Sequence, residues 1–287
     1  MKPIHPPIGR AATALATAGV TAAALAAVPA SANAVAVQSK TGPAHMVVAH
    51  MGKSIHLSVG HRVHAGRIMF RVVTRHGAHS MQIARLHNRY TVQQANADLN
   101  KAFGGDVAAV RRVDHNIGFL GGAETRPHKP GMFSTVIGRG NYLVLDQDGN
   151  AVTALHVFGH TIKRRAPHTS SSIGAFSYGF GVRHTIPHRG WTRVYDQSDQ
   201  PHFVEFIRVK RSTTPKMVRK ALSPSATSQP SFVLPGGTGT GVFSPGRGQF
   251  FHYALPRGKY LIACFWPDDD TGMPHAFMGM WKLIVLR

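Results

Sequence analysis

Cysteine is almost absent from this chain, which has a single cysteine, Cys264, in 287 residues. One thiol cannot form an internal disulfide bond, so Cys264 must have another role. The sequence also lacks a Gly-x-Ser-x-Gly motif, a His-Glu-x-x-His motif and a phosphate-binding loop. These absences remove the sequence signatures of serine hydrolases, zinc peptidases and P-loop enzymes.

Acidic residues are also scarce, with 12 Asp and Glu against 33 Lys and Arg. The resulting field favours anionic partners such as a cell-wall polymer, through an attraction that salt screens. The basic residues occur singly or in short groups, without the interleaved aromatic residues that single-stranded nucleic acid requires. No specific nucleic-acid partner is expected. The alternative is a solvated basic surface with no specific partner.

The N-terminal segment has the features of a secretory signal peptide over residues 1 to 34. Lys2 and Arg10 precede an alanine-rich apolar run, and small residues then form the cleavage-site patterns Ala30-Ser-Ala32 and Ala32-Asn-Ala34. The run is too short for a preferred transmembrane helix. We therefore expect a secreted, extracellular protein without a transmembrane segment. Outside the cytoplasm cysteines are normally paired, so an unpaired one indicates either metal binding or simple burial.

The rest of the chain shows two similar series of features, in residues 64–162 and 188–283. Each has a His-x-Gly step, a turn histidine (His79 or His202), a helix-like segment and a strand with tyrosine near its start. Aligning the tyrosines places Asp146 opposite Cys264. Threonine N-caps predict one short helix in each copy, from Thr91 to Phe103 and from Thr214 to Leu222. We predict an all-β fold of two tandem Greek-key β-sandwich domains, residues 35–168 and 169–287.

Cys264 is followed by His275, Met278 and Met280 at the C-terminal end. A thiolate, a neutral imidazole and a thioether are ligands that suit copper, with a second imidazole needed from elsewhere. The alternative is a buried free thiol beside a methionine-rich core.

The second half resembles the cupredoxins, the blue type 1 copper proteins related to plastocyanin and amicyanin. The resemblance depends on the turn histidine His202, on a strand of the form Gly-x-Tyr-x-x-x-Cys ending at Cys264, and on the phrase His275-Ala-Phe-Met278. It implies a copper site in which His202, Cys264 and His275 lie around the metal. Met278 would be the weak axial ligand, with Met280 as the competing candidate. The Cys264 to His275 interval, residues 265–274, is longer than the short loop usual in the family.

The resemblance implies a secreted copper protein that transfers single electrons to a redox partner protein or carries copper. Direct substrate chemistry is not expected from such a site, so the resemblance implies a protein that is not an enzyme. The paired His-x-His motifs of multicopper oxidases are not found in the sequence. The alternative function is a metal-free duplicated module that binds a partner or an anionic cell-envelope polymer.

The first half has no cysteine, so only nitrogen and oxygen ligands are available there. His79, Asp146, His156 and His160 are candidates for a copper or zinc site. The alternative is that Asp146 begins a hairpin turn, because an Asp-Gly step follows it.

Overall fold

The computed structural model describes residues 44–149, 151–183, 185–223 and 230–287. The predicted signal peptide and its cleavage sites lie outside these residues. The first half contains β1 (His45–Met51), β2 (His56–Leu57), β3 (Arg62–Thr74), β4 (His79–Leu86), α1 (Val92–Phe103), α2 (Val107–Asn116), β5 (Ile117–Thr125), β6 (Gly131–Ile137), β7 (Gly140–Asp146) and β8 (Val152–Ile162). The second half contains β9 (Ser172–Phe176), β10 (Gly179–Arg183), β11 (Arg189–Asp196), β12 (Glu205–Arg208), α3 (Pro215–Ala221), β13 (Thr238–Gly239), β14 (Gly248–Ala254), β15 (Gly258–Ala263), a 3₁₀ helix (His275–Met278) and β16 (Trp281–Leu286).

Strands dominate, which confirms the predicted all-β fold. The longest strand, β3, shows why the sequence forms sheets: Ile68, Phe70 and Val72 are buried at every second position, with more exposed residues between them. This alternation places one side of the strand against the core.

The helices correct part of the prediction. Thr91 and Thr214 do cap α1 and α3, and Gln94 completes a capping box with Thr91. The expectation of one short helix in each half was wrong for the first half, which also contains α2. The Asp106 side chain caps α2 by accepting a hydrogen bond from the backbone N–H of Ala109, at 2.9 Å.

The strands form a large sheet with the order β10-β9-β11-β14-β6-β3-β8-β7-β4-β5, which β1 and β2 join beside β3, and a second sheet with the order β13-β12-β15-β16. In β3 the register shifts between His64 and Gly66, so its first residues pair with β8 and its later residues with β1. Strand β14 of the second half pairs with β6 of the first. The halves therefore share one continuous sheet.

The second half is a β-sandwich. The smaller sheet packs against the large sheet at β14, where Phe206 of β12 contacts the rings of Phe251 and Tyr253. Residues from both layers and from the first half belong to one buried core. The metal-site candidates thus lie in the half with two clearly opposed layers.

Several contacts recur at the positions that the two sequence series align. The hydroxyl groups of Tyr142 and Tyr260 each donate to the carbonyl four residues earlier, at 2.9 Å in both cases. His79 lies beside Asp146, as His202 lies beside Cys264. Among the described residues, no helix is both long and apolar enough to cross a membrane.

Candidate metal centre

Three of the predicted ligands meet in the core of the second half. The Nδ1 atom of His202 lies 3.6 Å from Cys264 Sγ, the Nδ1 atom of His275 lies 3.8 Å from the same sulfur, and the two nitrogens are 3.1 Å apart. All three side chains are buried. Among the described parts of the chain, this is the only group of three potential histidine, cysteine or carboxylate ligands that converges.

Strand ends bring the first two side chains together. Cys264 directly follows β15, and its backbone N–H donates to the carbonyl of Met280 just before β16. His202 precedes β12, the neighbour of β15, and exchanges both backbone hydrogen bonds with Phe243. Each side chain is therefore held by backbone pairing on a rigid sheet.

The long interval after Cys264 forms a closed hairpin that brings His275 back to the cysteine. Pro267 and Pro274 form an antiparallel bridge, and the N–H of His275 donates to the carbonyl of Trp266 at 2.9 Å. Residues 265–274 therefore pair with themselves, and the length of this interval does not keep His275 away from Cys264.

Asp268 stabilises this hairpin from within. Its Oδ1 atom accepts hydrogen bonds from the N–H of Asp270 and from the N–H and hydroxyl of Thr271. Its Oδ2 atom accepts from the Tyr178 hydroxyl at 2.7 Å and from Gln200 Nε2 at 3.1 Å. Burial by itself raises the pKa of Asp268, but the donors outweigh burial and hold the pKa below its usual range.

Gln200 fixes the orientation and the tautomer of His275. The amide oxygen of Gln200 accepts from the backbone N–H of Asp269 while its Nε2 donates to Asp268, so the amide orientation is determined by its partners. That oxygen lies 2.9 Å from His275 Nε2, which must therefore carry the proton. The Nδ1 atom of neutral His275 then has a lone pair directed into the site.

The tautomer of His202 follows from its hydrogen bonds in the same way. Its Nε2 lies 2.7 Å from the Ser198 hydroxyl, whose single proton has two other acceptors, Asp196 Oδ1 at 2.7 Å and the carbonyl oxygen of Gln200 at 3.0 Å. Ser198 must then accept from His202 Nε2–H. Burial raises the pKa of Asp196 to about 6, against the hydrogen bonds from Ser198.

Both Nδ1 atoms consequently present lone pairs to each other and to the sulfur. Two lone pairs at this distance repel unless a proton or a cation lies between them. Burial lowers the pKa of His202 to about 3 and of His275 to about 4, so a proton is poorly held there. Both nitrogens could hold a metal cation through these lone pairs.

The surroundings of Cys264 also affect its protonation. Burial raises the pKa of Cys264 to about 12, although hydrogen bonds from the backbone N–H groups of Phe203 and Trp266 favour the thiolate. Without a cation the thiol stays protonated at neutral pH. Cys264 would hold a metal as the thiolate, and its proton would then be lost to solvent.

The size of the triangle fits a metal ion. A point inside it lies about 2 Å from each of the three atoms, close to the ~2.0–2.3 Å of metal–nitrogen and metal–thiolate bonds. Two imidazoles and one thiolate in a trigonal arrangement are the donor set of blue-copper sites. The residues present therefore fit copper.

The two methionines differ in their surroundings. Met280 is fully buried and belongs to the same core as Cys264. Met278 is partly exposed, and its sulfur accepts a hydrogen bond from the Thr271 hydroxyl at 3.6 Å. The axial role of Met278, with Met280 as competitor, stays a prediction.

The four candidates in the first half do not assemble a site. His79 Nδ1 lies 2.5 Å from Asp146 Oδ2, while exposed His156 pairs with Asn141 Oδ1, and His160 is exposed. Asp146 also accepts from the N–H of Asp148, as expected if it begins a turn. The turn interpretation agrees with this geometry.

Sequence reasoning missed the residues that orient the ligands: Ser198, Gln200, Asp268 and Tyr178. The Tyr178 ring meets the His275 ring edge to face, with centroids 5.7 Å apart. A signal existed only for Ser198 and Gln200, which lie four and two residues before His202 in a polar turn.

No protein-family model matches this chain, and no curated protein matches it. Among solved structures, the chain is similar to an auracyanin from Roseiflexus castenholzii, at 13% identity, covering 40% of this chain and 94% of that chain, with a TM-score of 0.26. It is similar to a multicopper oxidase at 11% identity, covering 84% of this chain and 88% of that one, with a TM-score of 0.24. It is also similar to a copper nitrite reductase from Nitrosomonas europaea at 10% identity, covering 84% of this chain and 93% of that one, with a TM-score of 0.23. These similarities are too distant to carry an argument.

Proposed function

We propose that this protein is a secreted cupredoxin-like copper protein that transfers single electrons or carries copper. His202, Cys264 and His275 would hold the ion, and Met278 would be the axial ligand. The observation that supports this most is the pair of Nδ1 lone pairs directed at the single thiol of the chain. Bound copper would supply a one-electron couple, for which a separate redox partner protein is needed.

The surrounding residues suit this role. Gln200 and Ser198 prevent the two imidazoles from rotating, and the backbone pairing of Cys264 and His202 fixes the sulfur and one nitrogen. A site that cannot rearrange keeps nearly the same ligand positions in both oxidation states, which favours rapid electron exchange. Direct substrate chemistry is not part of this proposal.

Copper titration of the purified protein tests the proposal. We expect one Cu(II) per chain and an intense visible absorption from the thiolate–copper bond. Cys264→Ala should abolish the colour, because the sequence has no other thiol. Ser223→Ala, outside the site, is the control and should keep it. A protein that stays colourless with Cys264 buried and unreactive would overturn the proposal.

A second candidate function follows from the net charge of +21. In this case the chain is a metal-free, tandemly duplicated module that binds an anionic cell-envelope polymer through its basic surface. Binding to teichoic-acid-like polyphosphate should then weaken steeply as salt rises, because exposed charges are screened beyond ~8 Å at physiological ionic strength. Absence of binding at low salt would exclude this function.

A further inference from the structure

A cavity of about 320 Å³ lies between the two halves, separate from the His202, Cys264 and His275 group. The first half contributes the ends of β4, β5 and β7, and the second contributes β12 and the turn before β13. Phe203, whose backbone N–H is bonded to the Cys264 sulfur, forms part of its wall. A cavity of this size accommodates a small organic molecule.

The only two glutamates of the chain meet in this cavity. Glu124 is in β5 of the first half, and Glu205 is the first residue of β12 in the second. Gly239 separates them: a Cβ atom there would collide with Glu205 Oε2 and lie 3.1 Å from Glu124 Oε1. The absence of a side chain at this position keeps both carboxyl groups open to the same space.

No hydrogen bond to the carboxyl group of Glu205 is found from any described residue, and the side chain is only partly exposed. Glu124 accepts from the backbone N–H of Gly239, and an Arg126 nitrogen lies 3.7 Å from its Oε2. Carboxylates that are shielded from water and have too few donors are costly, so they either stay protonated or meet a cation.

The other charged groups around the cavity are His79, Asp148 and Arg208. Burial and the neighbouring glutamate raise the pKa of Glu205 well above its usual value, and burial also raises that of Glu124. Arg126 opposes both shifts but remains half exposed at the rim. A ligand with its own positive charge and N–H donors would take the place of this proton and bind both carboxylates.

The remaining wall distinguishes an organic cation from a metal ion. Phe103, Phe203, Phe206 and Val242 line the cavity and offer apolar and aromatic surface. The two glutamates form no three-ligand group with another histidine, cysteine or acidic residue of the described chain. A cation with an apolar body uses both surfaces, whereas a metal ion would use only the carboxylates.

We propose that this cavity binds a small organic cation, a primary ammonium group attached to an apolar body, between Glu124 and Glu205. The ammonium group donates to both carboxylates, and the body lies against the phenylalanine rings. The site is independent of metal binding at Cys264.

Calorimetric titration with benzylamine tests the inference, with benzyl alcohol as the neutral analogue and benzyltrimethylammonium as the cation without N–H donors. We expect benzylamine to bind more tightly than either analogue. Glu205→Gln and Glu124→Gln should each weaken binding about tenfold or more, because charged hydrogen bonds are lost. Arg126→Ala should strengthen it, because a competing cation is removed. Asp270→Asn, an exposed carboxylate outside the cavity, and Cys264→Ala should leave it unchanged.

Three results would overturn the inference: equal binding of benzylamine and benzyl alcohol, weaker binding after Arg126→Ala, or no benzylamine binding. Ca²⁺ binding that displaces benzylamine and is lost in Glu205→Gln would instead identify a metal site. Circular dichroism of each variant establishes whether it is folded. If a glutamine variant does not fold, the inference is tested by whether Arg126→Ala strengthens or weakens benzylamine binding.

Discussion

At the scale of single residues, the metal centre depends on hydrogen bonds that lie behind the ligands. Gln200 holds His275 and Ser198 holds His202, each through the nitrogen that faces away from the sulfur. The ligands have an orientation before any ion arrives, because their outer nitrogens are already committed.

Gln200→Ala should weaken copper binding by about 10- to 100-fold and shift the reduction potential, because His275 loses the acceptor that fixes its tautomer. Competition against a chelator of known affinity and protein-film voltammetry measure the two effects. Gln197→Ala, an exposed glutamine three residues earlier, is the matched control. Equal affinities for the two variants would show that Gln200 does not position His275.

The axial ligand can be identified by comparing two substitutions. If Met278 is axial, Met278→Leu should keep the visible colour and raise the reduction potential, because a donor that favours the oxidised ion is lost. Met280→Leu should change the potential little. The reverse pattern would assign the axial position to the buried Met280.

At the scale of elements, the two first-half helices are joined by one carboxylate. Asp98 of α1 accepts two hydrogen bonds from Arg112 of α2, at 2.7 and 2.9 Å, and one from the Tyr90 hydroxyl at 2.6 Å. The bonds from Arg112 lower the pKa of Asp98 to about 2, although burial opposes the shift. The pair therefore stabilises the fold only while Asp98 is ionised.

Asp98→Asn should lower the free energy of unfolding at pH 7 by about 1–3 kcal/mol, because charge-assisted bonds are lost. Since the folded pKa is below the unfolded value of ~3.9, this contribution is complete above about pH 4 and is lost as pH falls towards 2. Urea unfolding from pH 7 to pH 2 should show the two proteins converging at low pH.

The control is Asp270→Asn, which breaks the exposed pair between Asp270 and Arg111. An exposed pair contributes little, so the expected loss is below ~1 kcal/mol. A loss as large as that of Asp98→Asn would show that the Asp98–Arg112 pair contributes no more to stability than an exposed pair.

At the scale of the whole molecule, the halves are joined by more than the linker. They share the β6–β14 pairing, and Trp266 of the metal-site hairpin packs against Phe103 and Phe119 of the first half. The hairpin that returns His275 thus depends on both halves for its packing.

We expect the intact chain to unfold in one cooperative step, with fluorescence and circular dichroism giving the same midpoint. Fragments cut within Ser170 to Ser172 should each unfold cooperatively but at lower temperature, because each loses the shared sheet. If both fragments are unfolded while the intact chain is stable, the two-domain organisation is wrong.

The sequence alone determined the all-β class, two capped helices and three side chains of the candidate metal centre. The first two features depend on local patterns, namely alternation in β3 and threonine before α1 and α3. The three side chains were expected from the resemblance of the second half to the cupredoxins. Helix α2, which Asp106 caps, was not predicted, because it has no counterpart in the second of the two aligned series.

Only the tertiary structure decided how residues 265–274 fold, which polar groups fix the imidazoles, and that both glutamates share one cavity. Each of these features joins residues far apart in the chain, such as Gln200 with His275 or Glu124 with Glu205. Their proximity depends on strand order and on how the sheets pack, and the periodicity of a sequence specifies neither.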